Sequence, residues 1–202
     1  SRKNQIGVDP WMTDETISKG SWCFTENLDI KASADVLHVL IDIVSKNGVL
    51  LLNVSPRADG TIPENQQQVL LDMGAWLDAF GESIYDTRPW YTFGEGPTKE
   101  PEGHFRNHQE FLKIKYSWKD VRYTTRGNVI YATLLGWPGA GEAMLLSAFA
   151  EDMLSDPLEI ASVTLLGSPD QIDWHMSEEG LSVTTPSEAS DEMAVVFKIE
   201  TR

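Results

Sequence analysis

Apolar positions recur at helical spacing between residues 33 and 46, SADVLHVLIDIVSK, where Val36, Leu37, Leu40, Ile41 and Val44 share one face. The spacing predicts an amphipathic helix, with Ser33 as its N-cap and Gly48 as its stop. Val49 to Val54 breaks that rhythm, apolar without alternation apart from Asn53. Such a run predicts a strand covered on both faces, as in a parallel sheet flanked by helices. Helical spacing returns after Pro63, where Val69, Leu70, Met73, Trp76, Leu77 and Phe80 make a second apolar face, Glu64 suits the N-terminal dipole and Gly81 ends the segment. The order is helix, buried strand, loop, helix.

Beyond Tyr91 the chain turns to Gly, Pro and charge as far as about Gln109, GEGPTKEPEGHFRNH included, and predicts a linker or long surface loop. The remainder of the chain is strand-like: Phe111–Tyr116, Val121–Thr125, Val129–Leu135, Ala143–Phe149, Ala161–Leu166, Leu181–Thr185 and Met193–Glu200 are short, β-branched or aromatic, and partly alternating. Arg126-Gly127-Asn128 reads as a hairpin turn and Met153-Leu154 as a short connection. Short strands without a helix among them predict an antiparallel β-sandwich. The division is therefore 1–92, a linker over 93–110, and 111–202.

Composition narrows the function class. A formal charge of -15 disfavours phosphate backbones and anionic lipid, so neither nucleic acid nor a membrane surface is the expected partner. No apolar run reaches the roughly 18 residues of a membrane span. The opening Ser1-Arg2-Lys3 has neither Met nor a signal-peptide core, as expected of a processed chain or a piece of a longer one. The lone Cys23 and the scattered His38, His104, His108 and His175 make no metal-ligand spacing, so neither zinc nor another cofactor is expected. Cys23 reads as a buried apolar thiol and His38 as a packed or half-exposed helix residue.

A strand buried on both faces needs neighbours. Residues 1–90 supply one helix–strand–helix passage, against roughly 250 residues in a complete (β/α)8 barrel. The first part thus reads as the C-terminal portion of a (β/α)8-type barrel, α/β in class, followed by an all-β sandwich. Asn53 would stand at the C-terminal end of a barrel strand, the face that carries active sites.

The run PWMTDETISKGSWCF, the VSKNG-x-LLLN strand with its ADGTIP loop, and the ending GESIYDTRPW resemble the last part of the catalytic barrel of α-L-fucosidases of glycoside hydrolase family 29. GEGPTK and VRYTTRGNVIYATLLGWP are similar to the linker and C-terminal β-sandwich of bacterial members. The resemblance implies retaining hydrolysis of terminal α-L-fucose from a fucosylated glycan or oligosaccharide, which takes two carboxyl groups about 5 Å apart. It also implies that the nucleophile Asp and the acid/base lie upstream, so that this chain carries no catalytic residue and needs the remainder of the catalytic domain as its partner. A periplasmic or secreted location is the family expectation. A non-catalytic carbohydrate-binding or scaffolding fragment is the alternative.

Trp22 aligns with a pocket aromatic of the family, and an indole suits the C–H face of a sugar. Trp11 is a second substrate-binding candidate, or else an anchor for its loop. Met12 replaces a polar residue of the family pattern. Asp14 and Glu15 read as a solvated loop or a helix N-terminus, Asp59-Gly60 as a turn, Arg57 as solvated, and Trp118, Trp137 and Trp174 as packing residues rather than a sugar platform.

Overall fold

The computed structural model describes residues 3–99, 112–156 and 158–202. Strand β1 (Trp11–Thr16) leads through a loop to helix α1 (Ser33–Ser45), strand β2 (Gly48–Asn53) and helix α2 (Glu64–Phe80). β1 and β2 pair in parallel, from Trp11 opposite Gly48 to Thr16 opposite Asn53. Next come β3 (Arg88–Glu95), β4 (Val121–Arg126), β5 (Val129–Leu134), β6 (Ala143–Leu146), β7 (Ile160–Leu165), β8 (Trp174–Ser177), β9 (Gly180–Thr184) and β10 (Val195–Thr201). They form two antiparallel sheets, ordered β3-β4-β5-β10-β7 and β6-β9-β8.

Both predicted helices form within a residue or two of their expected ends, since a one-sided apolar stripe needs only one partner surface to hold it. Their caps differ from expectation. Ala32, not Ser33, is the N-cap of α1, and the Ser33 hydroxyl donates instead to Asp72 of α2. Asn47, at φ 67°, makes the left-handed turn out of α1, and Gly48 already belongs to β2. A Cβ on Gly48 would lie 2.7 Å from the Trp11 ring and from Ile43, so the position tolerates no side chain. Pro63 precedes α2 and Gly81 closes it.

The two-faced strand is not where the sequence pattern placed it. In β2, Val49 and Leu51 are each 56% exposed. Leu52 packs toward the helices, while Val49 and Leu51, with Met12 and Asp14 of β1 beside them, point to a face left open among the described residues. The strands covered on both sides are β4, β5 and β10, and in β4 Val121 and Tyr123 face one way while the buried Arg122 and Thr124 face the other. Ile130, Ala132, Leu134, Val195, Phe197 and Ile199 enter one core, shared with β6, β7 and β9, while Tyr131 and Val196 enter a second, made with α1 and α2. Alternation explains the division, because successive side chains of a strand point to opposite faces.

Other departures are local. β1 and β8 went unpredicted, and so did β3, which spans the position at which the sequence divides the chain. Residues 112–116 form a turn and irregular backbone rather than a strand, and Phe111 lies outside the described residues. The expected hairpin turn is present at Gly127, with φ 61°, and the expected short connection is a turn of 3-10 helix over Glu151–Met153. Cys23 is exposed, not buried, because its loop projects beyond both cores.

Helices and sheet are joined by buried polar bonds. The Asp42 carboxylate, on α1, accepts from Lys46 Nζ at 2.6 Å and from Arg122 Nε of β4 at 2.6 Å. All three side chains are at most 4% exposed. Burial works against the Arg122 charge, but Asp42, Tyr116 and Asp120 outweigh it and hold the pKa above its ordinary value. Trp76 Nε1 donates to Ala194 O at 2.9 Å, and His38 Nε2 to Met193 O at 2.7 Å. Asp42→Ala would remove the carboxylate that two buried cations share, so it is expected to cost about 3–5 kcal/mol. Chemical denaturation of wild type and variant measures this.

His38 gives the fold a pH dependence. Burial pushes the imidazole pKa below its ordinary 6.5, against the pull of Met193 O, Asp35 and Asp120 and with the repulsion of Arg122. Near pH 6.5 the unfolded chain therefore binds the proton before the folded one does. Stability due to this group is full above that pH, falls as the pH drops through it, and levels off below the folded-state value. His38→Gln should flatten the corresponding part of the stability profile, read from denaturation midpoints between about pH 7.5 and 5.

Candidate functional site at the C-terminal ends of the parallel strands

Thr16 and Asn53, the last residues of β1 and β2, lie opposite each other, and strand alternation puts their side chains on the same face as Met12, Asp14, Val49 and Leu51. Asn53 Nδ2 donates to Thr16 Oγ1 at 3.1 Å and to the carbonyl of Trp22 at 3.1 Å. Ser55 Oγ donates to the same carbonyl at 3.1 Å. The loop that carries Trp22 is closed at its base, where Lys19 N donates to Asp29 O at 2.8 Å and Lys31 N to Ile17 O at 2.9 Å. The Thr16 and Ser18 hydroxyls bond to each other inside it, Thr16 Oγ1 donates to Ser21 O and Ser18 Oγ accepts from Ser21 N. Trp22 is 40% exposed, and Phe24 is 37% exposed with the Arg57 guanidinium 5.7 Å from its ring.

Trp11 stands at the other end of β1. Its Nε1 donates to Lys46 O at 2.8 Å, and its ring lies against Gly48. Five residues of strand rise, about 17 Å, separate Trp11 from Thr16. The Trp22 backbone thus stands at the C-terminal strand ends, and Trp11 is bonded at the opposite end.

The two neighbouring carboxylates occupy a strand, not a loop or a helix start, and alternation sends them to opposite faces. Glu15 is buried and accepts from Lys31 Nζ, which also donates to Thr16 O at 2.7 Å. Asp14 is exposed on the open face. Neither arrangement pairs two carboxyl groups for acid–base work. Asp59 accepts from Thr61 N at 3.0 Å and Thr61 Oγ1 at 2.7 Å, and these bonds hold its carboxyl below the usual range. With Gly60 at φ 85°, this is the turn that the sequence suggested.

Trp118 and Trp137 pack partly buried against the β-sheet core, while Trp174 is 37% exposed. His175 is exposed on β8, and His104 and His108 lie outside the described residues. Among the described residues no three His, Cys, Asp or Glu side chains gather as metal ligands would, and no helix is long and apolar enough to cross a membrane. A cleft of about 180 Å³ between the end of α1 and β3 includes Lys46, Arg122 and Gly94 in its lining, at the end of β2 away from Asn53.

Residues 1–82 match the family model for alpha-L-fucosidase, and residues 116–200 match that for the alpha-L-fucosidase C-terminal domain. The chain belongs to the alpha-L-fucosidase family. It is 29% identical over 173 residues to bovine (Bos taurus) tissue alpha-L-fucosidase, covering 84% of this chain and 31% of that one. Against the alpha-L-fucosidase of Branchiostoma floridae it is 29% identical, covering 91% of this chain and 36% of the relative. The structure of Thermotoga maritima alpha-fucosidase in complex with fucose superposes with a TM-score of 0.73 at 25% identity, covering 98% of this chain and 41% of that one. The chain thus spans about a third of the length of the curated relatives it matches.

Ser55 and Gln66 escape sequence reasoning altogether. Asn53 stands out in the sequence only by its contrast with the apolar run before it.

Proposed function

We propose that this chain is the C-terminal part of a retaining, exo-acting α-L-fucosidase that releases terminal α-L-fucose from glycans or oligosaccharides. Residues 1–92 act as the closing part of a (β/α)8-like catalytic domain, 93–110 as a linker and 111–202 as a β-sandwich. The observation that carries the reading is the open face of the β1–β2 pair. Met12, Val49 and Leu51 are 67%, 56% and 56% exposed there, at the strand positions that point into the interior of a closed barrel. Three neighbouring apolar side chains exposed on a strand face, with Asp14 the one charge among them, are a surface waiting for a partner. Two family models that together take in both halves of the chain support the assignment.

On this reading Trp22 offers its indole to the apolar face of fucose at the strand ends, while the two carboxyl groups come from the rest of the catalytic domain. A periplasmic or secreted location fits a glycan substrate. The 202-residue chain alone should not hydrolyse an aryl α-L-fucoside, and the longer protein should. In the longer protein Trp22→Ala should lower kcat/KM by about ten-fold or more, roughly 1.4 kcal/mol of transition-state stabilisation. Fucose should also lose its power to protect that variant against thermal unfolding. A lowered melting temperature with unchanged kcat/KM and undiminished protection by fucose would make Trp22 a packing residue and refute its place in the pocket.

A further inference from the structure

We propose that Asn53 and Ser55 are positioning residues for Trp22, holding its backbone so that the indole stands at the strand ends. The inference rests on the fucosidase reading above. A carbonyl has two lone pairs, and Trp22 O receives both of its donors from side chains: Asn53 Nδ2 and Ser55 Oγ, each at 3.1 Å. Because that carbonyl can only accept, the Asn53 amide is oriented with its nitrogen inward, and its other N–H goes to Thr16 Oγ1 at 3.1 Å. Ser55 is held in turn. Gln66, 1% exposed in the first turn of α2, accepts from Ser55 N at 2.8 Å and donates to Ser55 O at 3.1 Å. The Trp22 carbonyl is thus tied to the last residue of β2 and, through Ser55, to the start of α2.

A loop carbonyl beside solvent could be satisfied by water at little cost. Two side chains, one of them completely buried, fix its position instead, which water would not do. Trp22 is 40% exposed, so the place of its indole depends on where the backbone is held. A misplacement of about 1 Å is enough to weaken a positioned contact substantially.

The test is a double-mutant cycle in the longer protein, with kcat/KM on an aryl α-L-fucoside and the melting temperature read on the same preparations. Asn53→Ala and Ser55→Ala should each lower kcat/KM by roughly three- to ten-fold, the scale of one lost hydrogen bond. In a Trp22→Ala background the same substitutions should change kcat/KM by less than about two-fold, since there is no indole left to place. Ser55→Ala removes a single oxygen, so it remains informative if Asn53→Ala fails to fold. Equal losses in both backgrounds, or no loss in either, would overturn the inference while leaving the fucosidase reading intact. If Trp22→Ala itself leaves kcat/KM unchanged in an active protein, Trp22 is not in the pocket and the inference falls with it. Absence of both hydrolysis and fucose binding in the longer wild-type protein would instead refute the fucosidase reading.

Discussion

The Asp42 carboxylate, buried between Lys46 and Arg122, fixes helix α1 against the five-stranded sheet. One oxygen serves each cation, so the helix can neither slide nor turn without breaking a buried ion pair. The guanidinium lies 5.5 Å from the Phe93 ring and 5.2 Å from the Tyr116 ring, and its Nη1 donates to Val121 O at 3.0 Å, so the pair is hydrogen-bonded and covered. Everything before residue 54 depends on α1. β1 runs into it through the Trp22 loop, β2 runs out of it through Asn47, and both strands lie on its apolar side. A parallel pair of two strands is barely stable alone. It keeps its shape here because α1 and α2 are anchored to β4, β5 and β10.

That anchorage leaves the β1–β2 pair with one packed face and one open face. The helix-facing residues Thr13, Glu15 and Ile17 are buried, and the polar ones among them are bonded; Met12, Val49 and Leu51 on the other face are not covered by any described residue. Apart from Asp14, the polar groups of the open face stand at its C-terminal end, where Asn53, Thr16 and the Trp22 carbonyl converge. An apolar wall leading up to a ring of oriented polar groups and an indole is how an enclosed sugar pocket would be lined on one side.

How much of this is legible in the sequence depends on range. The helices show because their apolar stripes repeat every three or four residues, and most strands of the second half show because they are short, β-branched and bounded by turns. β1 does not show: WMTDET places polar or exposed residues at most of its positions, and only its pairing with β2 makes it a strand. Val49–Val54 reads as the two-faced run because its residues are apolar, yet Val49 and Leu51 are not covered by any described residue. The contacts that build the candidate site are least visible. Asp42 meets Arg122 across 80 residues, Asn53 meets Trp22 across 31, and neither separation leaves a periodic mark. Trp22 is found through resemblance, whereas Ser55 and Gln66 need the folded structure.

On the proposed reading, the open face and the Trp22 loop form one wall of a fucose pocket that the rest of the catalytic domain completes. The crystal structure of the longer protein with fucose bound tests this most directly. The account predicts that Met12, Val49 and Leu51 are covered by further strands and that the Trp22 indole lies in van der Waals contact, about 4 Å, with a C–H face of the sugar. A structure in which those three side chains remain in solvent, or in which fucose binds without touching the loop between β1 and α1, would contradict it.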